Sequence, residues 1–570
     1  MSTPTTTEAP SIAVGPPLED EPGLGALTLP GFLREVTTEY ADREVLVMRA
    51  DETVRWTYAD LWERSVEVAR SLRALGIGRD CRVGVLMTNR PEWLSAVFGT
   101  ALAGGVAVPL STFSTPAELD HLLRVSGVSV LLFERTVVRT DLARVLTELE
   151  PQIASRGSAP LESVTYPFLR HLAVVGEATD GIDGWRDFLD HGRSVTRETV
   201  ETAGTATSPS DSAVIFFSSG STSKPKGILS AHRGVAIQMW RFRRMYGLSP
   251  QDRVRCWSAN GFFWSGNFGM ALGSTLASGG SLVLQSTFDA IEALELMEAE
   301  KVDFPVAWPH QWAQLEAAPN WPSVDLSSMR FVDRQTPIAR HHSVSTDYTE
   351  PGHAYGNTET FTITTCYPAN TPDEMIAGSS GLPLPGNTVK IVDPIDGAVL
   401  PIGESGEICV KGPTLMLGYL GTALMDTVDD EGFFHTGDGG YLDADDRLFW
   451  EGRLTDIIKT GGANVSPLEV DEVLIGHPGV KVARTVGVPH ETLGEVVVAC
   501  IVPHADADLD GERVRGYLRE QLAAYKVPRH VLFFSDDQIS LTGSAKIKSS
   551  DIKALAAERL SELMAAPTRT

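Results

Sequence analysis

The residues best equipped for chemistry lie in one short stretch, AVIFFSSGSTSKPKGILSAH at positions 213–232. An apolar run of strand length, Ala213 to Phe217, opens into Ser218-Ser219-Gly220-Ser221-Thr222-Ser223-Lys224-Pro225-Lys226-Gly227. Small residues leave backbone N–H groups uncovered, hydroxyls donate hydrogen bonds, and two lysines add positive charge. Together these can hold a polyphosphate. The Gly-x4-Gly-Lys-Ser/Thr spacing of a P-loop is absent. Taken alone, such a stretch also suits a solvated turn.

Other chemically suggestive segments follow. They are Tyr355-Gly356-Asn357-Thr358-Glu359, His435-Thr436-Gly437-Asp438 with Gly452-Arg453 behind it, Gly461-Gly462-Ala463-Asn464-Val465-Ser466-Pro467-Leu468-Glu469-Val470, and Ala545-Lys546-Ile547. In this order, and with the Ser/Thr/Gly/Lys loop ahead of them, they resemble the signature motifs of the adenylate-forming (ANL) superfamily, in its acyl-CoA ligase branch. The resemblance spans about residues 30–555. It implies a reaction in two steps: ATP converts a carboxylic acid to an acyl-adenylate, and coenzyme A then takes the acyl group as a thioester.

Residue by residue, the resemblance implies that Ser218, Ser219, Gly220, Ser221, Thr222, Ser223, Lys224 and Lys226 hold the nucleotide phosphates. Tyr355 would stack on adenine within the AMP-binding segment that also includes Gly356 and Asn357, and Thr358 would reach the α-phosphate. Glu359 and Thr222 would hold Mg²⁺ through hard oxygen atoms, the donors this ion prefers. Asp438 would accept hydrogen bonds from both ribose hydroxyls, supported by Arg453. Lys546 would bridge the acid and the α-phosphate, acting with Thr222 and Glu359 in catalysis. Adenylation joins two anions in line, so positioning and charge neutralisation carry most of it.

For the second step the resemblance assigns Lys459, Gly461 and Gly462 to coenzyme A, the glycines leaving room for a pantetheine arm. It places a hinge at Thr455, between a large domain and a small mobile one. The aromatic stretch NGFFWSGNFGM at 260–270 reads either as core or as the lining of the acyl pocket, with Phe263, Trp264 and Gly269 as the lining positions. No cation is evident there, which suits a bulky apolar or aromatic acid.

Four departures from the family pattern bear on the first step. Ser223 replaces a glycine of the phosphate loop, Asp333-Arg334-Gln335-Thr336 replaces a Gly-rich turn, Ala545 replaces the glycine before the lysine, and Thr455 replaces a charged hinge residue. They raise an alternative: a ligase that thioesterifies a supplied acyl-adenylate and adenylates slowly or not at all. Further alternatives are a stand-alone adenylation enzyme loading a carrier protein, a luciferase-like oxygenase, and a non-catalytic nucleotide binder. Retention of Glu359, Asp438 and Lys546 together argues against the last.

The elements that must position these residues alternate. CRVGVLMTN (81–89) reads as a strand, PEWLSAVFGTALAGG (91–105) as a helix opened by proline, and GVAVPL (105–110) as a strand. AELDHLLRVSG (117–127) reads as a helix and VSVLLF (128–133) as a strand. This rhythm predicts an α/β fold: a large N-terminal α/β domain with parallel sheets. Past about residue 380, short strands joined by Gly, Asp and Pro turns predict a β-rich subdomain. From about 455 a separate alternation predicts a small mobile α+β domain. The predicted boundaries are a disordered tail over 1–25, rich in Pro, Thr and Glu, an ATP- and acyl-binding domain over 26–454, and a mobile domain over 455–570.

Composition closes off other classes. The chain has 48 Lys and Arg against 74 Asp and Glu, a formal charge of −26, with no basic cluster of the kind nucleic-acid binders carry. Phosphate must therefore be held by local devices. Cys81, Cys256, Cys366, Cys409 and Cys500 stand singly, without CxxC, so neither a disulfide framework nor structural zinc is expected. No apolar run reaches membrane-span length, and the N-terminus lacks the pattern of a secretory signal. The expected location is the cytoplasm, and the sequon at Asn464 is read as coincidental.

Overall fold

The computed structural model describes residues 9–565 apart from 51, 158, 180, 219–224, 423–426, 461–462, 491–492, 506, 523–525, 536–537 and 539–548 (backbone alone at 463–464, 549–550 and 562–565). The chain forms two compact units. One consists of 14–388 and 410–434; the other takes the described residues up to 13, 389–409 and 435 onward.

The first unit contains two sheets built as the alternation predicts. In the larger, strands Asp183–Gly184, His171–Val175, Val130–Glu134, Arg82–Leu86, Val106–Pro109 and Ser212–Ser218 run parallel, and Lys226–Ala231 and Gly418–Tyr419 close the edge antiparallel. The second has Phe304–Val306, Arg255–Ser258, Ser281–Leu284 and Glu44–Met48 parallel, with Val54–Thr57 antiparallel at its edge. The sheets are thus mixed, parallel in the middle and antiparallel at an edge. Central strands such as Val106–Pro109 are buried along their length, as parallel strands covered on both faces must be.

Local signals set the helices. Pro91 opens Pro91–Leu102, and Thr115 with Glu118 forms a capping box ahead of Pro116–Ser126, which stops at Gly127 in the left-handed conformation. Three of the scattered cysteines are inert: burial pushes the Cys256, Cys366 and Cys500 thiols up to about 12. Among the described residues no helix is long and apolar enough to cross a membrane.

In the second unit, one sheet has the order Ile12–Val14, Thr388–Val392, Gly406–Lys411, Phe434–Leu442, Leu448–Arg453. Another joins Ala463–Val465, Ile458–Thr460, Gly494–Pro503 and Val480–His490, with His530–Phe533 parallel to Gly494–Pro503. The same part carries the helices Pro467–Ile475 and Gly511–Arg519. The β-rich subdomain therefore groups with the C-terminal part in compactness.

The expected tail over 1–25 is corrected from Ala9 onward. Ile12–Val14 joins a sheet, Leu18–Asp20 forms a 3-10 turn, and the Glu21 side chain is fully buried. Its carboxylate takes Arg241 Nη2 at 2.6 Å and Arg244 Nη2 at 2.9 Å. A Pro/Thr/Glu-rich composition reads as solvated, yet a carboxylate can be buried when guanidinium groups meet it. The partner here lies 220 positions away in sequence.

Candidate active site

The phosphate-loop segment is held between two paired strands. Ser218 ends Ser212–Ser218 opposite Lys226, which begins the antiparallel strand Lys226–Ala231. Ser219, Gly220, Ser221, Thr222, Ser223 and Lys224 lie outside the described residues. The flank is pinned by the Pro225 carbonyl, 3.2 Å from His121 Nε2. Lys226 is exposed, and its Nζ lies 5.3 Å from the centroid of the Tyr419 ring.

Tyr419 links this lysine to the carboxylate expected to hold the metal. Its hydroxyl donates to Glu359 Oε1 at 2.9 Å, while the Glu359 carbonyl accepts from Met416 N at 2.7 Å. Glu359 is half-buried, with its backbone fixed and its carboxylate oriented. A single hard, oriented carboxylate of this kind fits the one or two protein oxygens that phosphate-bound Mg²⁺ takes.

The Tyr355–Glu359 segment folds tightly on itself. Asn357 Oδ1 accepts from Thr360 N at 3.0 Å, capping the turn Thr358–Thr360, and Asn357 O accepts from Thr362 N at 2.9 Å. Phe361 and Thr362 follow at φ +48° and +89°, strained for residues with side chains. A Cβ at Gly356 would stand 1.9 Å from the Thr362 carbonyl oxygen, so only glycine fits. Tyr355 is buried and bridges Thr365 through its backbone.

Phe262 and Phe268 are core: both pack on Trp93, and Phe268 also meets Phe216 and Phe361 edge-on. This aromatic cluster ties the strand leading to the phosphate loop to the Tyr355–Glu359 segment. Phe263 is buried and Trp264 half-buried, their tilted rings 5.3 Å apart between centroids, and Phe263 meets the exposed Phe113 edge-on at 5.7 Å. Gly269 falls in a π-helical turn, Phe268–Gly273, a feature frequent at functional sites. The Phe242 ring fills the space a Gly269 side chain would take, 2.9 Å from a built Cβ.

A buried amide network that the sequence did not announce holds this loop. Asn89 donates to the Asn260 carbonyl at 2.7 Å and accepts from Phe262 N at 2.9 Å. Asn267 donates to the same carbonyl at 2.6 Å. Satisfied buried amides rigidify a site. Asn89, Tyr419 and Phe113 come from loops and a two-residue strand far from the motifs, where no periodicity marks them.

In the other unit, Asp438 and Arg453 face each other across paired strands, in register. Arg453 Nε is 2.9 Å from Asp438 Oδ1, and Arg453 Nη1 donates to the Thr436 carbonyl at 2.8 Å. Thr436 Oγ1 donates to Ile408 O and accepts from Asp438 N at 3.1 Å, while Gly437 supplies the left-handed turn between them. Asp438 is 3% exposed, so its carboxylate is preorganised to accept hydrogen bonds. Thr455 sits in the exposed turn after Arg453, and Lys459 is exposed with its N–H on Glu495 Oε2 at 3.1 Å. Gly461, Gly462 and Lys546 lie outside the described residues.

Residues 33–420 match the model of the AMP-binding enzyme family, and 469–546 match that of the AMP-binding enzyme C-terminal domain. The chain belongs to the AMP-binding enzyme family. It is 32% identical over 504 residues to a feruloyl-CoA synthase of Amycolatopsis sp, covering 87% of this chain and 93% of that protein. It is 28% identical to 4-coumarate–CoA ligase 2 of Nicotiana tabacum, covering 93% and 94%. The solved structure of the anthranilate CoA ligase AuaEII with anthranoyl-AMP superposes with a TM-score of 0.75 at 24% identity, covering 96% of this chain and 99% of that one, and so shares the fold. This AMP-binding enzyme is an acyl-CoA ligase of the AMP-forming, adenylate-forming class.

Proposed function

We propose that this cytoplasmic ligase activates a bulky, aromatic carboxylic acid with ATP and Mg²⁺ and delivers it to coenzyme A. The observation that carries the reading is the oriented Glu359 carboxylate beside the phosphate-loop strands, held by Tyr419 at 2.9 Å. Tyr355 faces adenine, Thr358 the α-phosphate, and Asp438 with Arg453 the ribose. Mg²⁺, held by Glu359 and Thr222, would supply charge neutralisation on the phosphates. Lys546 neutralises the acid and the α-phosphate as the carboxylate attacks phosphorus and pyrophosphate leaves. Lys459, Gly461 and Gly462 then admit the coenzyme A thiol, which takes the acyl carbon as AMP departs, with Thr455 as the hinge between the two steps.

For the acid, the support is the aromatic group Phe113, Phe263 and Trp264, together with the names of the relatives, a feruloyl-CoA synthase and a 4-coumarate–CoA ligase. Each buried methylene contributes about 0.8 kcal/mol, so a ring-bearing acid gains several factors of ten over a short one. The test is thioester yield and pyrophosphate release across cinnamic, benzoic, aliphatic and amino acids, beside thioester yield from synthetic acyl-adenylate. Expected is kcat/KM at least about tenfold higher for an aromatic acid than for acetate or an amino acid. A preference for short or charged acids overturns the substrate reading. Thioester from acyl-adenylate without acid-dependent pyrophosphate release overturns the ATP-driven step in favour of thioesterification alone.

A further inference from the structure

Glu407 and Cys409 stand two residues apart on the strand Gly406–Lys411, so both project from one face of its sheet. His435 lies on the neighbouring strand Phe434–Leu442. Its Nδ1 is 2.9 Å from Glu407 Oε2 and 3.4 Å from Cys409 Sγ, and the ligand atoms of all three residues fall within 4.8 Å of one another. We propose that Glu407, Cys409 and His435 form a binding site for a zinc-like divalent cation, distinct from the hard-oxygen position of the nucleotide's Mg²⁺.

The geometry is close to what such an ion needs. With bonds of about 2.0–2.3 Å in a tetrahedron, neighbouring ligand atoms stand roughly 3.3–3.6 Å apart. The sulfur–nitrogen separation already meets this, and the nitrogen–oxygen pair needs to open by a few tenths of an ångström. The donor set is selective as well, since thiolate and imidazole suit zinc and offer Mg²⁺ little. Cys409 is buried while the His435 side chain is 40% exposed, so the ion enters from the imidazole side. A water takes the fourth position there.

The surrounding structure supports the ligands. Glu407 Oε1 accepts from Gly437 N at 3.0 Å, which orients the carboxylate and leaves Oε2 for the ion. On binding, the Cys409 thiol releases its proton to solvent and a sulfur–metal bond forms. The Nδ1 lone pair is donated to the metal, with the ring proton on Nε2. The ion cross-links two neighbouring strands, one of which carries Asp438 three residues beyond His435, so loading braces that strand and raises the protein's melting temperature.

The test uses the full chain, stripped with a chelator. Zn²⁺ is titrated against a chromophoric chelator with Mg²⁺ in large excess, and Co²⁺ is added separately for its absorption spectrum. Expected are one Zn²⁺ per chain, a higher Tm on loading, and a cobalt–thiolate charge-transfer band. Cys409→Ser should abolish the band and weaken Zn²⁺ at least about tenfold, as should His435→Ala. Because Cys409 lies within a packed sheet, Glu407→Gln gives a second, near-isosteric variant with the same expected loss of affinity, and the cobalt spectrum needs no substitution. No cobalt–thiolate band in the unaltered protein, or Zn²⁺ affinity unchanged in a folded Cys409→Ser or Glu407→Gln chain, overturns the site.

Discussion

Tyr419 reaches Glu359 across 60 positions of sequence, and the hydroxyl it donates decides which way the carboxylate faces. A hydrogen bond to a charged group contributes about 1.5–3 kcal/mol where it is fully developed, and partial exposure here lowers that. Tyr419→Phe should therefore raise the Mg²⁺ concentration needed for half-maximal adenylation by roughly tenfold, with the fold intact. Initial rates against Mg²⁺ at fixed ATP measure it, and an unchanged Mg²⁺ dependence would refute the orienting role. At this scale the sequence spoke through motifs. Glu359, Asp438 and Gly356 could be singled out only because they stand in segments that resemble those of a known family. Tyr419 could not, because it lies in the two-residue strand Gly418–Tyr419 and its partner is brought to it only by folding.

Helices and strands of the parallel sheets were readable from apolar runs, prolines and caps, and their observed limits fall within a few residues of those expected. The π-turn Phe268–Gly273 was not, because no spacing of residue types marks it; Phe242 and Met239 lie close against its Gly269 and Gly273. The helix His232–Met245 shows how an element's start can depend on a distant one: His232 Nδ1 accepts from Leu29 N at 3.2 Å, where the helix Leu29–Glu39 begins. Burial pushes the His232 imidazole down to about 4, so it is neutral in the fold. An unfolded histidine titrates near 6.5. Above that value both states are neutral and nothing is lost; between about 6.5 and 4 only the unfolded chain takes the proton, so stability falls as pH falls. The loss reaches roughly 3 kcal/mol by the lower limit. His232→Asn, which keeps an acceptor for Leu29 N, should flatten the decline of Tm over that window. An equally steep decline in the variant would assign it to other groups.

For the molecule as a whole, the two-step reading predicts that the steps can be separated by single changes. Lys546→Ala should reduce acyl-adenylate formation from ATP by at least about a hundredfold while largely sparing thioester formation from supplied acyl-adenylate. Gly462→Leu should do the reverse, filling the path of the pantetheine arm and leaving pyrophosphate release. Paired assays of the half-reactions decide it, and equal losses in both would remove the division of labour between Lys546 and the Gly461-Gly462 loop.

The buried carboxylate of Glu21 draws a line of a different kind. The match to the family model begins at residue 33, and the signature motifs lie beyond it. The charge that lets Arg241 sit inside the protein is supplied from ahead of that point. A chain trimmed to residue 33 onward would keep every signature motif and still be missing a counter-ion, a defect worth roughly 3–5 kcal/mol. The segment by which the family is recognised and the segment the fold requires have different starting points in this protein, and the second comes first.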